Sequence, residues 1–89
     1  MGESVRELAK VAHRLAGYAR DMMREAFNAL GNLHDFLYEQ RVAGNRIMDP
    51  SWETRIGEWM CFLHFLMNRV GTLMKVIERA YLGTEVSEP

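Results

Sequence analysis

The chain has 89 residues, 48% of them hydrophobic, with 11 Lys and Arg against 12 Asp and Glu. That much apolar content excludes a disordered chain, and the length supports a single domain with a small core. A net charge of −1 gives no global pull toward nucleic acid or an anionic membrane, so either would need a local patch.

The opening stretch, MGESVRELAK, is charged and has no apolar run, so no secretory leader is expected there. Val5, Leu8, Ala12, Leu15, Ala19, Met22, Ala26, Ala29, Leu33 and Phe36 then follow at alternating spacings of 3 and 4. This is a heptad seam carried through Gly31-Asn32 in phase. Ser4 with Glu7 offers a capping box. The pattern predicts one helix over about 4–43, ended by Gly44 in the C′ position.

A turn is expected over 44–49. Asp49-Pro50 then opens a second helix over about 50–82, with Asp as N-cap and Pro at the first helical position. Its seam is Trp52, Ile56, Trp59, Leu63, Leu66, Val70, Leu73, Ile77 and Ala80. Gly83 is expected to end it and residues 83–89 to fray. So short a connection makes the helices antiparallel neighbours, with residue i near about 94−i. The two seams are expected to face each other, small Ala12, Ala19 and Ala26 against larger residues. Ala9, Ala16, Met23, Leu30 and Leu37, with Met60, Met67, Met74 and Tyr81, add a second apolar stripe to each helix. Three apolar positions per heptad suit a bundle helix with more than one neighbour. The expected fold is therefore all-α: a long antiparallel helical hairpin, dimerising into a four-helix bundle.

Residues 59–68, WMCFLHFLMN, carry no charge. That is roughly half of a bilayer span, so no membrane partner is expected. Phe62 and Phe65 fall outside the seam. Gly57, Cys61, His64, Asn68 and Gly71 form a second stripe, small and polar, spaced 4, 3, 4, 3. Glycine inside an exposed helix costs about 1 kcal/mol against alanine, so two on one stripe suggest a close neighbour. These seven residues are the expected dimer interface, with a second copy as partner.

Cys61 is the only cysteine, which excludes an intrachain disulfide and fits a reducing, cytoplasmic setting. Cys61-x-x-His64, doubled by a two-fold axis, has the ligand count of a structural zinc site. A buried thiol beside a hydrogen-bonded histidine accounts for the same residues, and no metal or cofactor is expected. Arg6, His13, Arg20, Phe27, His34 and Arg41 recur every seven residues on helix 1 and would suit phosphates. Glu7, Asp21 and Asp35 flank them and favour ion pairs on a solvated face. Gly17, Arg24, Gly31 and Tyr38 form an outer stripe, and Arg20, Arg24, Tyr38 and Arg41 are the expected partner-binding residues.

The hairpin shape resembles the plasmid RNA-regulating helical-hairpin dimer Rop, which implies an RNA-binding alternative. Arg6-(x)6-His13 resembles the Arg/His spacing of the HEPN RNases, although Glu7 departs from the residue expected after the arginine. Small secreted hairpins with Trp-x-Gly at the turn are excluded, because Thr54 stands two residues after Trp52. No paired carboxylates, phosphate loop or activated nucleophile is legible, so no enzymatic activity is expected. The expected function is a homodimeric protein-interaction module: an adaptor, assembly subunit or inhibitor, of the kind found among phage and bacterial regulators. The alternative is an RNA- or DNA-binding hairpin dimer that uses the basic stripe.

Overall fold

A computed structural model of the protein describes residues 2–83, and every regular element among them is helical. α1 runs Gly2–Val42 and α2 runs Ser51–Ile77, continuing into a π-helical turn over Glu78–Leu82. The fraying expected of 84–89 lies outside the described residues.

Local chemistry sets the boundaries. At the end of α1, Asn45 N–H donates to the Gln40 carbonyl at 2.8 Å and Gly44 N–H to the Arg41 carbonyl at 3.1 Å. Those two bonds are a Schellman closure, which needs a left-handed residue at C′; Gly44 supplies it with φ 93°. At the start of α2, the Asp49 carboxylate accepts from Ser51 N–H at 2.9 Å, but the helix begins at Ser51 with Pro50 as its N-cap, one residue later than expected. Ser4 is not an N-cap, because the helix is already formed from Gly2.

The hairpin measures 63 × 24 × 14 Å, a thin slab. Paired residues across it sum to about 91 over most of its length. Gly17 meets Met74, Phe27 meets His64, and Gly31 meets Met60. The register therefore lies three residues from the expected one.

The contact surface is also different from the one expected. The heptad seam of α1 does not face α2. All ten of its residues are exposed, Leu8 at 69% and Met22 at 72%. The surface turned inward is one position further along: Arg6, Ala9, His13, Ala16, Arg20, Met23, Phe27, Leu30, His34 and Leu37. The second stripe and the basic stripe together make the intrahairpin contact. On α2 the inward residues are Ile56, Met60, Leu63, Met67, Val70, Met74 and Ile77.

The reason lies in what each surface can satisfy across the hairpin. Arg6 Nη1 donates to the Tyr81 carbonyl at 3.1 Å, within the π turn. His13 Nε2 lies 2.6 Å from Glu78 Oε2. Arg41 makes two bonds to Glu53, at 2.9 and 3.2 Å. A Cβ at Gly31 would lie 3.3 Å from the Met60 methyl and one at Gly17 3.6 Å from the Met74 methyl, so both glycines seat methionines. Among the described residues only Ala9, Leu37, Ile56 and Leu82 are buried hydrophobics, and no side chain is completely buried.

One geometric consequence organises the molecule. On both helices, the residue just before each inward position points to the same broad side, because the helices are right-handed and antiparallel. On α1 these residues are the apolar seam; on α2 they include Trp59, Phe62, Leu66, Leu73 and Val76, interrupted by Arg69. At the open end Val5, Leu8 and Ala12 share one shallow groove with Ile77 and Tyr81, so the two stripes meet in one face. The residues just after the inward positions form the opposite face: Gly17, Arg24, Asn28, Gly31 and Tyr38 on α1, and Gly57, Cys61, His64, Asn68, Gly71 and Lys75 on α2. One face is apolar, and the other is small, polar and grooved.

Candidate functional site

The grooved face brings together two stripes that the sequence treats as separate. The expected dimer stripe, Gly57, Cys61, His64, Asn68 and Gly71, forms one wall of a groove whose other wall is α1. Arg20, Arg24, Phe27 and Asn28 stand opposite His64, Met67, Asn68, Gly71, Thr72 and Lys75 around a cavity of about 680 Å³. Towards the turn, Phe27, His34, Gly57, Met60, Cys61 and His64 line a further 530 Å³. Phe27 and His64 belong to both, their rings 6.2 Å apart, so the two cavities adjoin at that pair. Of the two remaining expected dimer residues, Phe62 lies on the apolar face at 61% exposure and Phe65 is exposed under the Arg69 guanidinium, 5.7 Å from its ring.

The four expected partner-binding residues divide. Arg20 and Arg24 line the groove. Tyr38 and Arg41 lie near the turn, the Arg41 guanidinium 5.3 Å from the Tyr38 ring centre and doubly bonded to Glu53. Arg41 is thus occupied as a strut between the helices. The pair holds the Glu53 carboxyl below its ordinary range, first through the hydrogen bonds from Arg41 and then through its charge. Arg41 is raised in return, for the same two reasons. The Ser51 amide lowers Asp49.

The basic stripe of α1 is not a solvated track for phosphates. Arg6, His13 and Arg41 hold α2, Phe27 packs beside His64, and Arg24, next to the stripe, bonds Asp21 at 3.2 Å. Arg6 and His13, spaced like the RNase pair, are both spent on the π turn. Among the described residues no three His, Cys, Asp or Glu side chains converge, and Cys61 is exposed. Ser51–Leu82 is long and apolar enough to cross a membrane by length and composition. That follows from the Trp59–Asn68 stretch and its flanks and was not anticipated from the uncharged run alone.

Fold and site together define a two-faced helical hairpin. Comparison with protein-family models, curated proteins and solved structures finds no match to this chain.

Proposed function

We propose that the protein is a non-enzymatic interaction module that works as a homodimer, two hairpins packing through their apolar faces into a four-helix bundle. The carrying observation is the charge-free stripe of ten residues on α1, exposed along its whole length beside the outer stripe of α2. A compact monomer of 10.3 kDa exposes about 5,400 Å². This chain exposes 6708 Å². The hairpin thus exposes more surface than a compact monomer of its mass.

The face also complements itself. Ala12, Ala19 and Ala26 repeat every seven residues on α1, as Trp59, Leu66 and Leu73 do on α2. A two-fold axis sets the alanine column of one copy against the bulky column of the other. This differs from dimerisation through the Gly57–Gly71 stripe, which the groove face leaves outward for another macromolecule. A nucleic-acid reading keeps Arg20, Arg24 and Lys75 as its cations, and steep weakening of binding with salt distinguishes it.

Sedimentation at micromolar concentration is expected to give about twice 10.3 kDa. Met22→Glu buries two charges per dimer and is expected to dissociate it, whereas Gly71→Leu, on the other face, is expected to leave the mass unchanged. A well-folded 10.3 kDa species in the unsubstituted protein contradicts the reading, as does dissociation by Gly71→Leu with Met22→Glu still dimeric.

A further inference from the structure

The groove on the second face carries positive charge that the hairpin itself does not neutralise. Arg20 and Arg24 of α1 and Lys75 of α2 line its wider part, with Asn28, Asn68 and Thr72 around them and no carboxylate in the lining. Arg24 is held by Asp21, but among the described residues neither Arg20 nor Lys75 is ion-paired. Arg20 Nε is buried and has no hydrogen-bond partner. A guanidinium drawn partly out of water without an anion is costly, and an anion bonded to its accessible N–H groups in the groove offsets part of that cost.

The other half of the groove is apolar. Phe27, Met60 and Cys61 line it with the two histidines, and a Cβ built at Gly57 would meet nothing within 4 Å. From Arg20 to His34 the groove follows α1 for about 21 Å at 1.5 Å per residue. Both cavities lie within the range of about 300–1,000 Å³ that holds small ligands.

We propose that this groove binds an amphipathic anion, with a phosphate or carboxylate head on Arg20, Arg24 and Lys75 and an extended alkyl chain laid over Phe27 and Met60 toward Gly57. The fixed cations cluster at one end, which suits a single charged head; a nucleic-acid strand needs them along the whole track. The apolar half has no amide or hydroxyl to read a base edge, whereas methylene groups need only surface. The groove lies opposite the apolar face, so it stays open in a single hairpin and in a dimer paired through the apolar faces, and only pairing through the groove face itself would close it.

The test is a titration of the whole chain, labelled at its methionine methyls, with dodecyl phosphate and with laurate below their micelle concentrations. Inorganic phosphate, dodecanol and a single-stranded oligonucleotide are the controls. Saturable shifts of Met60 and Met67, on the groove, with Met22, on the opposite face, unmoved are the expected result. The tighter of the two amphiphiles identifies the head group. Lys75→Glu and Arg20→Gln are expected to weaken binding at least about tenfold, because a bond to a charged group is lost. Helicity and sedimentation should stay unchanged. Gly57→Leu fills the apolar end and is expected to remove the advantage of dodecyl phosphate over inorganic phosphate. The proposal is overturned if Met22 shifts as much as Met60, if dodecanol binds as tightly as dodecyl phosphate, if Lys75→Glu leaves affinity unchanged, or if the oligonucleotide binds the same groove more tightly than either amphiphile.

Discussion

Individual residues carry more of the hairpin's definition than its small core does. Gly44 is the clearest case. With φ at 93° it closes α1 at a conformation that costs other residues roughly 1–2 kcal/mol. Gly44→Val is therefore expected to destabilise the fold by about that amount, lowering Tm by several degrees for a domain of this size. Glu53 is the second case. Its folded carboxyl titrates below the unfolded one because Arg41 bonds it. The stabilisation is thus complete above the unfolded glutamate value of about 4.3 and is lost as pH falls through the lower folded value. Glu53→Gln is expected to lower Tm at pH 7 and to give a flatter acid limb, the two Tm curves converging as pH falls through the lowered folded value. Parallel curves over the whole range would remove Arg41–Glu53 from the account.

The two helices show why part of the fold was readable and part was not. Where they end follows from short-range signals: Asp49 before Pro50, and Gly44 with a Schellman closure, act on their immediate neighbours and mean the same thing in any context. Which face meets which is a long-range choice. The ten-residue seam of α1 is the strongest periodic signal in the chain, yet it announces only that something apolar must cover it, not whether that is the same chain or another. The contact used instead is signalled weakly, by glycines whose partners lie 29 and 57 residues away: Gly31 seats Met60 and Gly17 seats Met74. The groove was half readable for the same reason. Its α2 wall is a regular stripe, but Arg20, Phe27 and His34 join it only once the register is known. A direct check is Gly31→Val. With a Cβ already 3.3 Å from the Met60 methyl, a branched side chain must displace the end of that methionine from its seat, costing on the order of 1–3 kcal/mol. Gly31→Val with Met60→Ala should recover part of that loss, which unrelated effects at the two sites would not produce.

As a whole the molecule is a slab 14 Å thick, too thin for two helices to bury a core between them. Among the described residues four buried hydrophobic side chains hold it, and an entire apolar face is left over. The proposed pairing through that face would convert the slab into a bundle and leave both grooves outward, each with its cationic end and its apolar end. The alternative pairing, through the groove face, would bury Arg20 and Lys75 without counter-charge and leave ten apolar residues of α1 in water. These two arrangements place Cys61 differently. It is the only cysteine and it is exposed, so a spin label attaches there without other substitutions. Dipolar distance measurement between the Cys61 labels of the dimer is the most direct test. Packing through the apolar faces puts the labels on opposite outer sides, about 20 Å or more apart, given helix diameters of about 10–12 Å. A separation well below that, or no dipolar coupling at all in a folded sample, would contradict it.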